Sequence, residues 1–175
     1  MTVLVTYASK HGSTRDIAER IGDQLRRFGK DVDVRPVSAA GAVDAYEAAV
    51  IGSAVYYGSW MKEAAAFVRQ HRTALAERPV WLFSSGPTLD PTKPRDVPQT
   101  PEAKEVAELK EAITPREHRT FPGRLESSQL SFVERMAIKA VKAPTGDSRD
   151  WAEIEAWAEG IARALTPAGT APART

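Results

Sequence analysis

The chain has 175 residues, of which 42% are hydrophobic and 27% charged, a mixture that suits one globular domain and excludes a disordered chain. Its net charge of +1 offers no dense basic face for general nucleic-acid binding, and the lack of cysteine excludes disulfides, thiolate chemistry and iron–sulfur clusters. Any redox role must use a non-covalently held organic cofactor, and His11, His71 and His118 are too scattered to predict a metal site.

Met1 leads straight into Thr2 to Tyr7, a short buried strand, with no signal-peptide pattern; no apolar run approaches a membrane span, so a cytoplasmic protein is expected. Arg15 to Phe28 follows as a helix with Ile17, Ile21, Leu25 and Phe28 on one face, ended by Gly29. Val32, Val34 and Val37 flank a second strand. Glu47 to Ser53 is a third, apolar on consecutive positions as a strand covered on both faces would be.

Trp60, Ala64, Phe67, Val68, His71 and Leu75 fall at helical spacing, and Pro79 to Ser85 supplies a fourth strand. Prolines at 87, 91, 94, 98 and 101 predict a long loop from Gly86 to Pro101. A helix is expected at Glu102 to Ile113, a last strand at His118 to Phe121, and two closing helices at Ser128 to Lys142 and Asp150 to Leu165. Trp151, Ile154, Trp157, Ala158, Ile161 and Leu165 form the apolar stripe of the final helix, with Asp150 and Glu153 as a capping-box variant.

Strands alternating with helices require parallel pairing through crossovers, which predicts an α/β three-layer sandwich on a five-stranded parallel sheet of order 2-1-3-4-5. One domain is expected over residues 1–165, with a flexible tail at 166–175. Ligands of such sheets sit at the carboxyl ends of the strands.

Ser9, Lys10, His11, Gly12, Ser13 and Thr14 lie between the first strand and the first helix. There hydroxyls, a glycine and helix-terminal amides converge to offer donors to a phosphate. The loop lacks G-x-G-x-x-G and G-x-x-x-x-G-K-[ST], so a mononucleotide phosphate fits better than a dinucleotide or triphosphate. Helix capping by Ser13 or Thr14 would also explain the hydroxyls. After the third strand, Ala54, Val55, Tyr56, Tyr57 and Gly58 place small and aromatic residues where a flat ring could stack, and Ser85, Gly86 and Pro87 end the fourth strand on the same edge.

The loop Tyr7-Ala8-Ser9-Lys10-His11-Gly12-Ser13-Thr14, with Ala18, resembles the flavodoxin signature, with Thr6 where that signature is usually apolar. Val50 to Trp60 (VIGSAVYYGSW), Phe121 to Leu125 (FPGRL) and Glu134 to Trp151 look most like the menaquinone-dependent protoporphyrinogen oxidase branch of that superfamily. The resemblance implies bound FMN, its phosphate on Ser9 to Thr14 and its ring bordered by Ala54 to Gly58 and Ser85 to Pro87. It also implies an oxidoreductase passing electrons or hydrogen to a quinone or other acceptor. A non-enzymatic electron carrier and a deazaflavin in the same cleft stay open, whereas a phospho-receiver would need acidic residues where Ser9 and Lys10 stand.

A flavoprotein needs no catalytic side chain, and none is nominated. Arg135, Lys139 and Lys142 cluster within roughly 60° on a helix that also carries Leu130, Phe132, Val133, Met136, Ile138 and Val141. Two readings stand: peripheral contact with an anionic membrane surface or an acidic partner, and a core helix with a solvated basic edge. The wide apolar arc favours the core helix.

Overall fold

Segments with runs of consecutive apolar residues become the inner strands of one sheet in the computed structural model, which describes residues 1–86, 88, 102–126, 128, 130–140 and 145–166. The strands are β1 (Thr2–Ala8), β2 (Asp31–Pro36), β3 (Ala48–Tyr56), β4 (Ser59–Trp60), β5 (Val80–Ser85) and β6 (Glu117–Phe121). Five of them pair in parallel in the order β2-β1-β3-β5-β6, which is the 2-1-3-4-5 order expected, and β4 folds back antiparallel on the end of β3. The helices are α1 (Ser13–Arg27), α2 (Lys62–Gln70), α3 (Arg72–Ala76), α4 (Lys104–Ile113), α5 (Phe132–Ala140) and α6 (Trp151–Ala164). A small hairpin, β7 (Arg124–Leu125) with β8 (Gly146–Asp147), stands apart from the main sheet.

Side chains alternate along a strand, so each inner strand feeds two cores. Val3, Val5, Val50, Trp81 and Phe83 meet Ile17, Ile21 and Leu25 of α1 and Ile154, Trp157 and Ile161 of α6. Leu4, Ala8, Ala49, Ile51 and Leu82 meet Ala64, Phe67 and Val68 of α2, Leu75 of α3, and Val106, Leu109 and Ile113 of α4. The result is three layers, each fully buried aliphatic side chain contributing about 1.5–3 kcal/mol. Gly52 of β3 leaves the space that the Phe83 ring fills, and a Cβ there would run into that ring.

The structure corrects several boundaries. β3 runs three residues past Ser53, and Trp60 lies in β4 rather than on the α2 face. Tyr57 and Gly58 link β3 to β4 as a two-residue turn, both at positive φ, as tight hairpins require. The Trp60 indole then donates to Ser84 Oγ at 2.8 Å, which secures the buried ring. Phe28 is half-exposed at the C-cap of α1, so the buried stripe ends at Leu25. α4 starts at Lys104, after Glu102 has turned its carboxylate to Lys110 and His118.

The predicted helix from Ser128 starts only at Phe132. Ser131 and Glu134 form a reciprocal capping box, with the Ser131 amide donating to Glu134 Oε2 at 2.9 Å and the Glu134 amide to Ser131 Oγ at 3.3 Å. No residue of α5 is buried, which corrects the reading of it as a core helix. α6 is capped as expected, with Asp150 accepting from the Glu153 amide at 3.1 Å. Pro87, the prolines from 91 to 101, Val141, Lys142 and all of the tail except Thr166 lie outside the described residues.

Thr6 points into the core shared with Leu4 and Ala8, fully buried, and its hydroxyl has no hydrogen-bond partner. An unsatisfied buried hydroxyl is costly, and an apolar group of the same shape removes the cost. Thr6→Val is therefore expected to raise stability by about 1 kcal/mol, read as a higher urea midpoint at unchanged slope. A lowered midpoint would contradict this.

Candidate functional site

The site begins where β1 ends. Gly12 adopts φ 83, a left-handed conformation that is cheap only for glycine, and it turns the chain from Ser9 into α1. The Ser9 hydroxyl accepts from the Gly12 amide at 3.1 Å and closes that turn. The N-cap is Gly12 itself and no side chain caps the helix, so capping does not explain the Ser13 and Thr14 hydroxyls. Ser13 Oγ instead accepts from the Arg124 amide at 3.0 Å, and Thr14 Oγ1 is buried without a partner.

The first-turn amides of Ser13, Thr14 and Arg15 have no intrahelical acceptor, and the helix dipole adds positive potential there. Asp16 would oppose an anion nearby, but it is surrounded by guanidinium groups: Arg149 at 3.0 Å, Arg15 at 3.3 Å and Arg124 at 3.5 Å. Arg149 is itself buried beneath Trp151, its guanidinium 4.5 Å from the ring centroid.

Around this terminus lies a cleft of about 530 Å³, within the range of small-molecule sites. Ser9, Lys10, His11, Ser13 and Thr14 line one wall, Ala54, Val55, Tyr56 and Tyr57 a second, and Ser85, Gly86 and Thr88 a third. The three loops expected at the carboxyl edge thus converge. Gly12 and Gly58 shape the turns without lining the cleft, and Pro87 falls outside the described residues. Tyr57, at φ 50, is 90% exposed at the mouth, while Tyr56 meets His11 edge to face at 6.3 Å. Burial, aided by the charge of Glu134, pushes the Tyr56 phenol up to about 12, so it remains a neutral hydroxyl.

A fourth wall was not foreseen. Arg124 and Leu125 of β7, Leu130, and Glu134, Ala137 and Ile138 of α5 complete the enclosure. Gly123 makes this possible, because a Cβ there would collide with the Gly86 carbonyl. The S-x-x-E spacing at 131–134 was the signal that could have fixed the start of α5; nothing local marks Arg124 as a wall residue. His118 and His71 lie outside the cleft. His118 bridges Ser84 at 2.9 Å and Glu102 at 3.1 Å, its pKa lowered chiefly by burial, and His71 packs on Phe67.

Glu134 clasps α5 to the first loop. Its carboxylate takes a hydrogen bond from Lys10 and lies 3.4 Å from His11 Nε2, which is buried and not aligned to donate.

Comparison with known proteins agrees with this geometry. A family profile described as a flavodoxin domain matches residues 4–151. The protoporphyrinogen IX dehydrogenase (quinone) of Escherichia coli K12 is 26% identical over 174 aligned residues, covering 93% of this chain and 95% of that one. An archaeal flavodoxin structure superposes with a TM-score of 0.62 at 17% identity, covering 94% of this chain and 98% of its own. Flavodoxin 2 of Bacillus cereus gives a TM-score of 0.62 at 20% identity, covering 94% and 100%. At these identities the structures share the fold.

The Lys10 hydrogen bond, followed by the Ser131 bonds, holds Glu134 down to about 2 from its ordinary 4.5. A carboxylate depressed in the fold stabilises above its unfolded value and loses that stabilisation as pH falls towards the folded one. Exchange of the α5 amides, normalised to intrinsic rates, should therefore be slow above pH 4.5 and quicken between there and about pH 2. In Glu134→Gln the pH dependence should vanish, and its persistence would show that another group carries it.

Proposed function

This chain belongs to the flavodoxin domain family, and we propose that it is an oxidoreductase that binds FMN in the cleft and passes electrons or hydrogen to a quinone. The observation that carries the cofactor assignment is the buried, partnerless Thr14 hydroxyl at a helix terminus whose first amides also lack acceptors. A phosphate monoester supplies the oxygens that those donors need.

The residues present fit that group. The amides of Ser13, Thr14 and Arg15 and the Thr14 hydroxyl would hold the phosphate, with Lys10 and His11 on the same wall. Ala54, Val55, Tyr56 and Tyr57 would border the ring on one side and Ser85 and Gly86 on another. Tyr57 presents a free aromatic face, and the neutral Tyr56 hydroxyl is a hydrogen-bond donor at ordinary pH. Leu130, Ala137 and Ile138 exclude water from the α5 side. When bound, the flavin supplies the electron chemistry, so the protein's task is to orient it and to govern access.

The Escherichia coli relative, dehydrogenating protoporphyrinogen IX with a quinone, supports a quinone as the acceptor to try first and a porphyrinogen as the donor. The test is to load the protein with FMN, reduce it without oxygen, and mix it with menadione. Rapid reoxidation, with steady turnover when protoporphyrinogen is added, is expected. Failure to retain FMN at micromolar concentration would overturn the cofactor assignment. Retention of FMN with no reaction towards quinone would leave an electron carrier instead, and release of a deazaflavin from purified protein would redirect the assignment to hydride transfer.

A further inference from the structure

α5 has two faces with opposite duties. At about 100° per residue, Glu134, Ala137 and Ile138 point one way, and these are the residues that line the cleft. Phe132, Met136, Ala140 and Val133 occupy an arc of about 100° on the other side, with Lys139 and Arg135 within about 60° on its flank. Phe132 is 72% exposed, Val133 74% and Met136 55%, a continuous apolar strip held in water. Surface helices of globular domains turn such a strip inward, and this one cannot, because its inner face is already committed to the cleft.

The charges on the outward face have one sign. Neither Arg135 nor Lys139 has an ionic partner among the described residues. The only acid of α5 is Glu134, and it is turned inward and held by Lys10. An apolar strip with an unneutralised basic flank and no acid complements a surface that is apolar beneath and anionic above. Among the described residues no helix is long and apolar enough to cross a membrane.

We infer that α5 is a docking helix for an anionic bilayer surface, lying with Phe132, Val133 and Met136 among the acyl chains and Arg135 and Lys139 at the headgroups. The evidence is the helix itself; the purpose rests on the quinone reading, since a lipid-borne quinone would then meet the cleft through the helix that walls it. The contact is modest, one short helix and two described cations, so binding is reversible and dependent on salt.

The test is co-sedimentation of the FMN-loaded full-length protein with vesicles of phosphatidylcholine containing a quarter phosphatidylglycerol, and with vesicles of phosphatidylcholine alone. Binding to the anionic vesicles, weakened by salt, is expected. Arg135→Gln with Lys139→Gln should weaken it about 25-fold, taking about fivefold per charge, and Phe132→Ser with Met136→Ser should abolish it. These residues do not line the cleft, so both double variants should keep their flavin absorbance, which confirms that they fold. No binding to anionic vesicles, or binding that either double variant leaves unchanged, overturns the inference. So does a concentration-dependent dimer that Phe132→Ser with Met136→Ser dissolves in the absence of lipid binding, which would assign the strip to a second copy of the chain. If FMN is not retained but vesicle binding follows the expected pattern, the docking helix stands and the quinone reading falls.

Discussion

The structure turns on a helix that begins without an acceptor for its first amides. Gly12 enters α1 in a left-handed conformation, and no side chain folds back to cap it. The turn cannot relax: β1 is held between β2 and β3, and the Ser9 hydroxyl locks the loop. The Ser13 hydroxyl, which could have served the helix, is spent on Arg124. An unsatisfied buried donor costs about 1–3 kcal/mol, and the Thr14 hydroxyl at this terminus is one.

The remaining walls are attached to this terminus. Ser13 to Arg124 carries the β7–β8 hairpin, and Lys10 to Glu134 carries α5. The two ties reach across more than a hundred residues of sequence, so the late segments of the chain fold onto the first loop and enclose it. The same enclosure leaves the apolar outer strip of α5 unburied, since a short helix spanning a cleft has only one face to give.

What was legible in the sequence follows from the range of the forces involved. Runs such as VIGSA and VWLFSS, largely apolar on consecutive positions, mark strands buried on both faces, and the glycine and hydroxyls after β1 mark one wall of the cleft, because both are local patterns. Trp60 misled because an aromatic residue four positions before Ala64 fits a helical face by chance, while the turn at Tyr57 and Gly58 relies on a tyrosine at positive φ that residue preferences disfavour. For Thr14 the sequence left phosphate binding and helix capping both open, and the Gly12 cap removes the second. Arg124, Leu130 and the inner face of α5 were beyond reach, since their place in the cleft depends on tertiary contacts that no spacing in the chain records.

The most direct measurement is the affinity of the apoprotein for FMN against that for riboflavin, in the unaltered chain and in Thr14→Val. If the terminus of α1 holds a phosphate, FMN should bind at least about 100-fold more tightly than riboflavin, since each hydrogen bond to a charged group is worth about 1.5–3 kcal/mol. Thr14→Val should then cost about tenfold for FMN and nothing for riboflavin, without loss of stability in the apoprotein. Equal affinities for the two flavins, unmoved by the substitution, would contradict the assignment of the first loop.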